Sequence, residues 1–187
     1  MTEKHGFIVD VNYILWNLSR IRRFIDRDAA SNAMRALVLS KLDYANALLA
    51  GCKCKDIVRL QRLQNRAARI VFRVSRRHSS SPLLKTLHWL PIDNRIKYKI
   101  LTYVYKTLNG LSPNYLSDCI SIRVPSRTGL RSSQDKTCLE IPRCRKQIGD
   151  RSFRVYGPTL WNKLPQSLRT SPSIDVFKHN LKTYLFQ

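Results

Sequence analysis

Arg59, Arg62, Arg66, Arg69, Arg73 and Arg76 recur at intervals of three and four. Only a helix turns that spacing into one longitudinal face, because about 100° per residue brings each side chain back beside the last. Between them Ile57, Leu60, Leu63, Ala67, Ile70, Val71 and Val74 mark a second face. The stretch from about Asp56 to Arg73 therefore reads as an amphipathic helix with a core side and a guanidinium side. Like charges in a row repel, and the chain has little to set against them: 34 lysines and arginines stand against 12 aspartates and glutamates, a net charge of +22. Many of those carboxylates, such as Asp26, Asp28, Asp56, Asp93 and Asp175, fall at helix starts where capping absorbs them. The stripe thus reads as a seat for an external anion, best a phosphate backbone that each guanidinium can grip bidentately. A solvated basic face is the competing reading of the same pattern.

A sequence pI near 10.5 directs the search for partners toward polyanions, nucleic acid first and an anionic membrane surface second. A membrane span is not expected, since the most apolar stretch, Ala33 to Ala50, is broken by Arg35, Lys41 and Asp43. Surface insertion is the weakest option, with Phe72 as the only candidate anchor on the arginine helix. The opening residues do not read as a secretory signal, and five cysteines fit free thiols in a reducing compartment better than a disulfide framework.

The hydrophobic fraction of 43% is enough for a core, and the pattern places it mainly in helices. Ile14, Leu18, Ile21 and Ile25 predict a first helix from Val11 to Ile25, with Arg20, Arg22 and Arg23 on its shoulder. Ala30, Met34, Leu37, Leu42, Ala45, Leu48 and Leu49 predict a second, stopped by Gly51. After the arginine helix, Pro82 opens a short helix that Pro91 closes. Ile96, Ile100, Tyr103, Val104 and Leu108 then form the inward face of a long helix ended by Gly110. Beyond Ile120 proline, glycine and serine punctuate a basic, loop-rich stretch in which only Thr137 to Ile141 resembles a strand; a short hairpin is the one β-element it allows. Ser173 caps a last helix through Phe177, Leu181 and Leu185. The expectation is a mainly α protein: a basic helical bundle over 1–120, then a loop-rich basic region over 121–187 that ends in a helix.

Chemistry finds little support. Metal-dependent phosphoryl transfer needs converging carboxylates, and the nearest pairing, Asp135 with Glu140, has no third acid or close lysine. Cys52-x-Cys54 with Cys119, Cys138, Cys144 and the histidines matches no common zinc-finger spacing, and His88 beside Trp89 reads as packed. No catalytic, metal or cofactor site is expected. Tyr98, Tyr103, Tyr105, Tyr156 and Trp161 lie among lysines and arginines, as in surfaces that stack single strands, although core packing accounts better for them.

Several strings are familiar in order and spacing. They are Leu18-Ser19-Arg20-Ile21-Arg22-Arg23-Phe24, Ser40-Lys41-Leu42-Asp43-Tyr44-Ala45-Asn46-Ala47-Leu48-Leu49, Leu60-Gln61-Arg62-Leu63-Gln64-Asn65-Arg66-Ala67-Ala68-Arg69 and Leu87-His88-Trp89-Leu90-Pro91-Ile92. Tyr115-Leu116-Ser117-Asp118, Gly149-Asp150-Arg151-Ser152-Phe153, Leu160-Trp161-Asn162-Lys163-Leu164-Pro165 and Phe177-Lys178 follow. From about Val11 onward the chain resembles the segment beyond the polymerase core of non-LTR (LINE-type) retrotransposon reverse transcriptases of the jockey and chicken-repeat kind. The resemblance implies a thumb-like helical segment and tail that grip template RNA and target DNA, with the rest of the polymerase as a further partner and the nucleus as the place of action. The family's Y-x-D-D motif is not in this sequence, and Asp43-Tyr44 does not supply it. The implied chain is thus not an enzyme as it stands. It is a nucleic-acid binder whose candidate phosphate contacts are Arg20, Arg22, Arg23, Arg59, Arg62, Arg66, Arg69, Arg73 and Arg76; a non-enzymatic interaction module or domesticated structural protein, or an untranslated relic, without specific nucleic-acid function is the alternative.

Overall fold

The computed structural model describes residues 3–44, 46–51, 54–123 and 137–187, and it is mainly helical. In chain order the helices are α1 (Glu3–Ile21), α2 (Arg27–Met34), a π-helical stretch Arg35–Leu39, α3 (Ser40–Asp43), a 3₁₀ turn Asn46–Leu49, α4 (Cys54–Phe72), α5 (Ser80–Thr86) and α6 (Ile92–Leu108). They continue as α7 (Asn114–Ser117), α8 (Gln147–Asp150), α9 (Phe153–Trp161), α10 (Gln166–Arg169) and α11 (Ile174–Phe186). The chain divides into two compact units, one of residues 1–46 with 53–95, the other of 47–52 with 96–187.

In the first unit α4 packs on α1, α2 and α5. Its buried side is Leu63, Ala67, Ala68 and Val71, facing a core with Val11, Leu15, Leu18, Met34, Val38 and Leu84. Each fully buried leucine or valine contributes about 1.5–3 kcal/mol. Gln64 also lies wholly inside, satisfied on both ends: its amide donates to Leu90 O (2.8 Å) and its oxygen accepts from Gln61 (2.9 Å). Gln61 in turn accepts from Ile92 N (2.8 Å), so α4 clamps the Leu90–Ile92 turn with side-chain bonds.

Two registers differ from the periodic reading. On α1 the buried stripe is Val11, Leu15 and Leu18, continued by Arg22, while Ile21 is exposed and Ile25 lies past the helix end. The apolar residues at 14 and 21 were one position off the axis that packing selects, so an arginine inherits an inward position. On the second helix the π stretch is wider than 3.6 residues per turn, which rotates Leu37 out (48% exposed) and brings Val38 and Leu39 in.

The second unit is built on an aromatic cluster. Tyr105 of α6 stacks on Phe177 of α11 at 4.4 Å between ring centres, and Trp161 of α9 lies 5.8 Å from Phe177. Tyr105 Oη donates to Ser171 O (2.8 Å) and Trp161 Nε1 to Thr137 O (2.9 Å), so both polar tips are satisfied. Tyr103, expected inside, is 39% exposed because Tyr105 takes the inward position beside Val104. Thr137 to Ile141 does not form a strand. Among the described residues a single antiparallel bridge joins Ile122 to Leu139, and the other edge of Leu139 is held by a side chain, Asn162, which accepts from Leu139 N and donates to Leu139 O, both at 2.8 Å. The remainder of the loop that the hairpin reading spans lies outside the described residues.

Candidate nucleic-acid interface

The arginine stripe begins on α4 as expected. Arg59, Arg62, Arg66 and Arg69 follow one another along the helix, and α4 then ends at Phe72. Arg73 takes the left-handed conformation (φ 55°), with its N–H donating to Ile70 O (3.2 Å) and the next one, of Val74, to Arg69 O (3.1 Å). That pairing closes the helix end, normally around glycine, and an arginine there carries a backbone strain of about 1–2 kcal/mol. Arg73 and Arg76 are thus placed by the turn rather than by helical periodicity.

The two segments of one unit, α1 with its continuation and α4 with its turn, enclose a groove of about 1160 Å³. Eight arginines line it: Arg22, Arg23, Arg59, Arg62, Arg66, Arg69, Arg73 and Arg76; among the described residues no carboxylate does. Arg20, the ninth candidate, points elsewhere, its guanidinium 4.8 Å from the centre of the Trp16 ring.

Four of these guanidinium groups donate hydrogen bonds, and the acceptors are neutral oxygens. Arg66 donates to Asn12 Oδ1 (2.8 Å), Arg69 to His78 O (3.0 Å) and Arg73 to Arg22 O (2.6 Å). Arg22 is 8% exposed and donates to Val71 O from Nε (3.0 Å) and Nη2 (2.7 Å), and to Ile25 O from Nη1 (2.6 Å). Its guanidinium is therefore the clasp between α1 and the carbonyl end of α4, where a cation also suits the helix dipole. Burial pulls its pKa down, Arg73 adds to that, and Asp26 opposes both. Arg59 and Arg62 are exposed, and neither donates to another described residue. The groove accordingly has a preorganised part, held in place by amide and carbonyl oxygens, and an open part at Arg59 and Arg62. In neither part is positive charge cancelled by the side chains that line it.

Other readings fare differently. Tyr105 and Trp161 are core residues, and His88 is exposed in a left-handed turn (φ 54°) instead of packed. Asp135 and Cys52 lie outside the described residues, and among those described no three His, Cys, Asp or Glu side chains gather as metal ligands. No described helix is long and apolar enough to cross a membrane. Sequence periodicity missed Asn12 and Ser19, which line the groove from α1, because short polar residues carry no signal until the opposing arginines are in place. Comparison of the chain with protein-family models, with curated proteins and with solved structures gives no match.

Proposed function

We propose that this chain holds nucleic acid by its phosphate backbone in the groove between α1 and α4, as the thumb-and-tail part of a LINE-type reverse transcriptase acting in the nucleus. The observation that carries the reading is the groove itself, where eight arginines face one space and, among the described residues, no carboxylate lines it. A row of guanidinium groups held by carbonyls keeps its full charge, and laying phosphates along it releases condensed counterions. Backbone contacts carry no base code, so binding is sequence-tolerant. Polymerisation belongs to the parent's catalytic palm, and this chain supplies grip alone.

The test is the affinity of the full chain for a mixed-sequence RNA across a series of salt concentrations. With each phosphate contact contributing roughly 0.7–0.9 to the log-log slope, four or more contacts give a slope of about −3 or steeper. Scrambling the RNA sequence should change affinity little. Weak binding that ignores salt would contradict the reading and favour a protein-interaction module.

A further inference from the structure

The outer face of α1 carries a feature that phosphate contacts leave unused. Around this helix, at about 100° per residue, Val11, Leu15 and Leu18 mark the buried side, and Ile8, Asn12 and Ser19 lie roughly 70° round, lining the groove. Roughly 90° farther on come Val9, Tyr13, Trp16 and Arg20. Tyr13 is 64% exposed and Trp16 47%, and their rings stack at 6.3 Å with planes 25° apart. Arg20 covers Trp16 from one side. Two large rings in water beside an arginine-lined groove are costly to leave bare, and the surrounding charge repels any basic partner.

We infer that this face is a base-stacking platform, and that the occupant of the groove is single-stranded nucleic acid whose phosphates meet the arginines while its bases stack on Tyr13 and Trp16. The inference rests on the phosphate-groove reading and adds the substrate class. A strand offers negative charge and aromatic rings together, which is the complement of this surface. A duplex keeps its bases inside and offers only the charge. Arg20 then moves from Trp16 or stacks over the incoming base.

Trp16 is also a built-in probe, because Trp89 and Trp161, the other two tryptophans, are only 2% and 1% exposed. The experiment titrates the full chain with a single-stranded DNA dodecamer, its abasic counterpart of equal charge, and a duplex of the same length. Tryptophan emission and affinity are read for the wild type and for W16L. The expected result is quenching by the base-bearing strand and not by the abasic one, an affinity advantage over the abasic strand of about tenfold or more, and loss of both in W16L with the salt slope unchanged. Equal affinity for the base-bearing and abasic strands with a steep salt slope would overturn the platform and leave the groove reading intact. Quenching without that advantage, or tighter binding of the duplex, would overturn it too. Salt-insensitive binding of all three would remove both readings. Trp16 lies outside the core, and the thermal unfolding of W16L confirms that the variant folds.

Discussion

Replacing Arg59, Arg62, Arg66 and Arg69 together by glutamine is expected to weaken RNA binding by roughly two to three orders of magnitude near physiological salt and to flatten the log-log salt slope by about three. Glutamine keeps the stem and a polar end, so the side chains continue to cover α4. The four sites do not act alike. Arg59 and Arg62 have no partner among the described residues, and their loss removes only charge. Arg66 and Arg69 also tie α4 to Asn12 and to the His78 carbonyl. Each tie is worth about 0.5–1.5 kcal/mol, so the quadruple variant should unfold slightly earlier while the Arg59 and Arg62 pair should not. Salt titration by fluorescence anisotropy, with unfolding followed by circular dichroism, checks both parts. A slope unchanged in the quadruple variant would exclude α4 as the binding face.

Phe177→Ala should destabilise the second unit by about 3–5 kcal/mol, the range for removing a fully buried aromatic ring. Phe177 is completely buried, stacked on Tyr105 and against Trp161, so its loss leaves a cavity bounded by two rigid rings that cannot collapse into it. The same change at Tyr184, on the same helix but 38% exposed, should cost well under half as much. Denaturant unfolding monitored at the tryptophans separates the two. A Phe177→Ala loss below about 1 kcal/mol would mean that the aromatic cluster does not organise this unit.

Much of the helical framework could be read from the sequence, and the misses share a physical origin. Gly110 stops α6 in the left-handed conformation (φ 67°), and Asp26 and Ser173 cap α2 and α11 by accepting from Ala29 N and Val176 N, whereas the second helix ends at Asp43, where Tyr44 turns extended, and Gly51 (φ 61°) only follows the 3₁₀ turn Asn46–Leu49. These are local devices, fixed by one residue and its neighbours. Two further helix ends have the same hydrogen-bond pattern built on Arg73 and His88, where no glycine announces them. At Arg73 a tertiary contact offsets the strain: the side chain that glycine would lack bonds Arg22 O. The inward turn of Arg22 was hidden for a similar reason. Composition marks an arginine as a surface residue, and the open carbonyls of Val71 and Ile25 give this one a reason to be inside. The stripe over 59–69 was visible because charge and periodicity coincide on one helix. The part of the opposite wall that α1 supplies, Ile8, Asn12 and Ser19, was not, since it exists only once two segments far apart in sequence meet.

The central claim is that binding belongs to this groove rather than to the net charge of the chain. The most direct measurement compares two variants of equal charge, both reduced by two from the +22 of the wild type: R59Q with R62Q in the groove, and R143Q with R145Q, two exposed arginines of the other unit. If the groove holds the phosphates, the first pair flattens the salt slope for RNA by roughly 1.4–1.8 and the second leaves it at the wild-type value. Equal flattening by both pairs would show that the overall field attracts the RNA and that the groove has no special part in binding it.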